Sequence, residues 1–189
     1  MKKDVLIYPD KRLRKKGQWV DKIDEKILSM ANDLEDTLRE DANGVGLAAL
    51  QIGYCQKILA IKKDNKVRLI FNPKILKVYG KKQFPIMQSK DGKEEDFLEG
   101  CLSFPNVYGT IKRFFSFDLE WEELDKKKKT LQKKEGRWEG YEAIVIQHEM
   151  DHLDGILMID RIMESNGKIY KFVGEKMIDW SVEKVLKLV

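Results

Sequence analysis

Hydrophobic positions along the chain change period several times, and each change marks an element. Ile23, Ile27, Met30, Ala31, Leu34 and Leu38 recur at spacings of three and four. That pattern predicts an amphipathic N-terminal helix from Asp21, as its cap, to about Glu40. The stretch NGVGLAALQIG is small and apolar, and predicts a loop leading into a buried strand or extended segment. Residues 57–63 and 67–72 are short strand candidates on either side of Asp64-Asn65, and FNPKILKVYG adds a further turn and strand. The polar stretch 81–98, centred on Asp91-Gly92, predicts a hairpin or excursion. Phe115, Phe117, Leu119 and Trp121 then alternate with Ser116, Asp118 and Glu120, the period of a half-buried strand. DKKKKTLQKK predicts a solvated hairpin turn and the strand after it. Residues 140–155 predict a helix whose Ala143–Ile146 segment is apolar all round and hence deeply buried. From about Lys168 to Val189, Phe172, Val173, Met177, Trp180, Val185 and Leu186 predict a C-terminal amphipathic helix. Helices set apart from a run of hairpin-linked strands define an α+β fold.

Composition narrows the class without naming a chemistry. At 189 residues, with 42% hydrophobic and 10% aromatic side chains, the chain is expected to form one globular domain over 1–189. Thirty-six basic residues nearly cancel 32 acidic ones, and a net charge of +4 does not argue for specific nucleic-acid binding. MKKDVLIYPDKRLRKKG carries no apolar stretch of signal-peptide length, and no run is long enough to span a membrane. Two cysteines, Cys55 and Cys101, are too few for a disulfide framework, so a reducing cytoplasm is expected.

Chemistry enters with QHEMDHLDG at 147–155. The chain has two histidines, His148 and His152, and they lie four apart with Glu149 between them. On a helix this spacing turns both imidazoles to one face, where they can converge on a metal ion. Glu149 sits on the same turn, placed to take a proton from a water at that ion. On this reading short antiparallel strands pack around a buried central helix that carries HExxH, with the N-terminal and C-terminal helices outside it. A catalytic site takes a third protein ligand. No third histidine exists; Glu164 and Glu175 are downstream candidates, and Cys101 in LEGCLSFP is the competing one, a thiolate whose pKa the ion itself would lower.

Three separated stretches, GVGLAALQ (44–51), EGCLS (99–103) and QHEMDHLDG (147–155), resemble in order and spacing the three signature motifs of the peptide deformylases. VLIYPDKRLRKKG also resembles the start of that family, and the similarity runs from about residue 4 to residue 160. The resemblance implies Cys101, His148 and His152 as metal ligands and Glu149 as general base and acid. It implies the Gln51 side-chain amide and the Leu102 backbone N–H as oxyanion donors, and Gly46 as a backbone contact for substrate. Val45, Tyr141, Ile144 and Val145 align with the pocket for a methionine side chain. Glu99 and Arg113 are expected to pair and steady the Cys101 loop, Asp151 to orient a histidine or face solvent, and Cys55 to be a buried thiol. Relatives often carry an arginine near the position of Tyr108, where it helps hold the substrate backbone.

The activity so implied is hydrolysis of the formyl group from the initiator formyl-methionine of nascent polypeptides, releasing formate. The cofactor implied is one divalent metal ion, Fe2+ in the cell, with Zn2+, Ni2+ or Co2+ able to take its place. The partners implied are formyl-Met nascent peptides and, transiently, the ribosome; the location is a bacterial-type cytoplasm or an organelle. Two rival readings are a related metal amidase or deacylase acting on another N-acyl group, and a binding module with a structural metal. Intact Glu149 and Gln51 count against the second, since a closed structural site needs neither.

Overall fold

A computed structural model of the chain describes residues 1–88 and 91–187. Its larger sheet has five antiparallel strands in the order β1-β2-β3-β8-β9, namely Gly46–Ala48, Ile58–Lys63, Lys66–Tyr79, Ser116–Asp125 and Thr130–Glu139. Its smaller sheet has four, β11-β10-β7-β6, namely Lys176–Trp180, Ile169–Val173, Phe104–Gly109 and Glu99–Cys101. A separate two-stranded ribbon pairs β4, Ile86–Gln88, with β5, Glu94–Asp96. Four α-helices are described: α1 (Glu25–Glu40), α2 (Gly140–Leu153), α3 (Met158–Ser165) and α4 (Val182–Leu186). The fold is α+β, with antiparallel sheets and few helices.

The continuous apolar run of β2 explains how the layers are stacked. Ile58 and Ala60 face the cluster that holds Met30, Leu34 and Leu38 of α1. Leu59 and Ile61 face the opposite way, into a cluster with Ala143, Val145 and Ile146 of α2. The larger sheet is therefore buried on both faces at this strand, which is why β2 reads as apolar rather than alternating. A third cluster joins the smaller sheet to α3 and α4 through Val107, Ile111, Ile159, Ile162 and Val185.

Several boundaries differ from the sequence reading. α1 begins later than Asp21: Asp24 is the cap, its carboxylate accepting from the Ile27 N–H at 2.8 Å. The turn expected near Asn72 is a bulge inside one long strand, β3, where the pairing with β8 shifts between Phe71 and Lys74. Asn72 adopts φ +50° there, and its amide bonds to both backbone groups of Val20. Phe115 is 57% exposed, because the alternation that buries Phe117, Leu119 and Trp121 begins only at Ser116.

The largest correction concerns the C-terminus. No helix runs from Lys168; β10 and β11 form a hairpin instead, followed by the short α4. Gly174 supplies the positive φ (+60°) that a two-residue turn between Val173 and Lys176 requires. The expected C-terminal helix is absent because the apolar residues divide between the two faces of a hairpin, Phe172 pairing with Met177 and Ile169 with Trp180. Its last two positions, 188 and 189, lie outside the described residues.

Candidate metal centre

Two elements deliver the polar groups. The tight β6–β7 turn pairs Cys101 with Phe104 and sets the thiol at the end of the smaller sheet. α2 starts at Gly140, whose φ of +61° lets the chain turn directly from β9 into a helix. His148, Glu149 and His152 lie on that helix and are all buried. Among the described residues, the donor atoms of Cys101, His148 and His152 lie within 4.8 Å of one another. Cys101 Sγ is 3.2 Å from His152 Nε2. Glu164 instead pairs with Arg161 and Lys82, and Glu175 sits on the exposed hairpin turn, so neither approaches the histidines.

One thiol and two imidazoles fit a divalent transition metal, for which these are favoured donors. The surroundings fit as well. Glu149 Oε2 is buried without a hydrogen-bond partner among the described residues, an arrangement that a reacting water would complete. Burial pushes the Glu149 carboxyl up to about 7, against the opposing charge of His148. Burial drives His152 well below the ordinary histidine range, with the positive His148 and Arg113 adding to it. On His148 burial is outweighed by hydrogen bonds to Cys101 and Glu99, which raise its pKa well above the ordinary value.

The donor cluster is held in place by a buried ionic chain. His148 Nδ1 donates to Glu99 Oε2 at 2.9 Å, which leaves Nε2 for the cluster. Arg113 grips Glu99 with Nε and Nη2 at 2.8 and 2.9 Å, and reaches Asp151 with Nη1 at 2.6 Å. Burial alone would raise the Glu99 carboxyl, but the Arg113 fork overrides it and holds it at about 2. Asp151 bonds to Arg113 and Arg161 rather than to a histidine. Cys55 is half-buried and outside the cluster, not the buried thiol expected.

Gln51 is oriented from both ends. Its Oε1 accepts the Ala48 N–H at 2.8 Å, so Nε2 must face the cluster, 3.7 Å from Cys101 Sγ and 3.2 Å from Ser103 Oγ. The role of Ser103 went unread in the sequence although it closes EGCLS, because a hydroxyl's partner cannot be inferred from its neighbours in the chain. Gly46 is required by close approach: a Cβ there would come within 2.3 Å of Glu149 Oε1. A cavity of about 500 Å³ opens beside these groups, and Gln51, Leu102 and Glu149 line it. Ile144 and Val145 are buried in its wall, while Val45 and Tyr141 stand half-exposed at its edge. Phe97, from the end of the polar excursion, packs edge-on against Tyr141 with centroids 5.8 Å apart.

Fold and site together define an α+β protein with a Cys-His-His donor cluster beside a buried glutamate. The family model described as polypeptide deformylase matches residues 2–168. A peptide deformylase 2 of Clostridium acetobutylicum is 36% identical over 162 residues, 86% of this chain and 96% of that protein. Among solved structures, a peptide deformylase from Thermotoga maritima superposes with a TM-score of 0.70 at 30% identity, covering 85% of this chain and 97% of that one. One from Legionella pneumophila has the same TM-score and identity, covering 100% of this chain and 97% of that one. The chain belongs to the polypeptide deformylase family.

Proposed function

We propose that the chain is a single catalytic domain in which Cys101, His148 and His152 hold one divalent metal ion and Glu149 moves the proton of the reaction. The reaction is hydrolysis of the N-formyl amide of nascent polypeptides, a formyl amide and water giving formate and a free amine. The observation that carries the site assignment is the convergence of the three donor atoms beside the unpartnered, buried Glu149 Oε2.

When bound, the ion acts as a Lewis acid and lowers the pKa of a water. Glu149 accepts a proton from the attacking water and passes it to the leaving amine nitrogen. A carboxyl poised near neutrality by burial suits both halves of that exchange. Gln51 Nε2 and the Leu102 backbone N–H donate to the oxygen of the formyl group as charge develops on it. Ala48 fixes the direction of the Gln51 amide beforehand, so no reorientation is needed during reaction. The Gly46 backbone pairs with the substrate backbone as an added strand would. Ile144 and Val145, with Val45 and Tyr141 at the edge, receive the methionine side chain.

The ferrous ion is the cellular metal on this reading, with Zn2+, Ni2+ and Co2+ as alternatives; the softness of the donor set supports a transition metal over Mg2+ or Ca2+. The substrate also implies a transient contact with the ribosome and a cytoplasmic location. Among the described residues no helix is long and apolar enough to cross a membrane. Formate release from a formyl-Met peptide, by protein of measured metal content, tests the proposal. Turnover that follows metal occupancy supports it, and a loaded site without turnover refutes it.

A further inference from the structure

The hairpin of β10 and β11 lies beyond residue 168, where the family match ends, yet it is joined to the active-site cavity. β10 pairs with β7 so that Tyr170 stands opposite Tyr108. Phe172, two residues further on, meets the Tyr108 ring edge-on, with centroids 5.2 Å apart and planes at 76°. Met177 pairs with Phe172 across the hairpin and is exposed. Opposed and alternate strand residues share a face, so Tyr108, Tyr170, Phe172 and Met177 form one surface. On the other face Ile169 and Trp180 pack into the core cluster.

Tyr108 is the link to the site, since it also lines the cavity. Its ring lies across Gly100, the neighbour of Cys101; a Cβ on Gly100 would come within 2.7 Å of the ring. The surface thus begins one residue from the donor cluster and leads away from it over the smaller sheet. The described residues lining the cavity include no lysine or arginine. A peptide leaving it in this direction meets the rings and thioether of this surface, with Asp179 opposite Tyr170 and the Lys168–Asp96 pair at its margins.

We propose that this aromatic and methionine shelf binds the side chains of the substrate from its third residue onward and favours aromatic and apolar ones. The proposal rests on the deformylase reading above. Its occupant is the remainder of the same peptide, because shelf and cavity are continuous through Tyr108. An extended chain advances about 3.3 Å per residue, so the residues that have cleared the cavity reach the shelf.

The test compares kcat/KM for formyl-Met-Ala, formyl-Met-Ala-Ser and formyl-Met-Ala-Trp in the metal-loaded protein and in its Phe172→Ala and Phe172→Leu variants. The Trp peptide is expected to exceed the Ser peptide about fivefold, the scale of an aromatic contact. Phe172→Ala should bring that ratio close to one, and Phe172→Leu, which keeps apolar volume without a ring, should lower it. Calorimetric titration of the products Met-Ala-Trp and Met-Ala-Ser makes the same comparison without turnover. Should Phe172→Ala fail to fold, Phe172→Leu decides: an unchanged ratio overturns the shelf. Equal rates for the Trp and Ser peptides in the parent chain also overturn the shelf and leave the deformylase reading standing. No formate from any of the three peptides, with the metal loaded, overturns that reading and the shelf with it.

Discussion

On one side of the cavity His148 and Glu99 line the wall and Arg113 and Asp151 stand behind them, all four buried and tied together by hydrogen bonds of 2.6 to 2.9 Å. At the cavity's edge, Val45 and Tyr141 stand half-exposed, and the Tyr141 ring meets Phe97 edge-on. The first wall is built so that each group has one position. A buried arginine between two carboxylates cannot shift without leaving a charge unpaired. The second wall is built from carbon surface that adapts to what enters. On the proposed reading, reaction chemistry belongs to the rigid wall and substrate choice to the adaptable one, and the two should respond differently to substitution.

The sharpest separation is expected at Glu149. Glu149→Ala should fold and retain its metal, measured by elemental analysis, while formate release falls about 10³-fold. A loss of less than tenfold would remove Glu149 from the proton-transfer role. Next comes the ionic chain. Arg113→Met leaves Glu99 buried without its partner and should cost about 3–5 kcal/mol in denaturant unfolding. A cost under about 1 kcal/mol would mean that water or another group replaces the guanidinium. Gly46→Ala forces Glu149 aside and should cost about 1–3 kcal/mol, with a larger fall in kcat than in stability. A variant with parental kcat would show that the Gly46 contact does not position Glu149. The smallest effect is expected at the adaptable edge. Tyr141→Ala should raise KM for formyl-Met peptides several-fold, leave kcat within about twofold and leave the unfolding midpoint nearly unchanged. A fall in kcat without a change in KM would place Tyr141 on the rigid wall instead.

The sequence was most informative where a period or a spacing has one structural solution. The recurrence in α1 and the four-residue step from His148 to His152 are of that kind, because helical geometry converts the spacing directly into a shared face. The C-terminal hairpin was not legible, since its apolar residues divide between two faces of two short strands and the deciding glycine, Gly174, is one residue in a long stretch. The bulge at Asn72 read as a turn for a related reason: an asparagine at positive φ marks both. The bond from His148 to Glu99 and the hydroxyl of Ser103 under Gln51 were also hidden. They join residues 49 and 52 positions apart, which meet only when the β6–β7 segment folds against α2 and the turn after β1.

Strands β3 and β8 are neighbours in the larger sheet, but residues 80–115 leave the sheet between them. That excursion carries Glu99, Cys101 and Arg113, whereas the histidines arrive only after β9 has returned along β8. The donor cluster therefore depends on long-range contacts, Cys101 and His152 standing 51 positions apart in the chain. Such distant pairings form late, because the entropy of closing a long loop must be met before its contacts contribute. On the proposed reading metal capture then waits on these long-range contacts, and an enzyme that acts on chains still emerging must first complete its own fold.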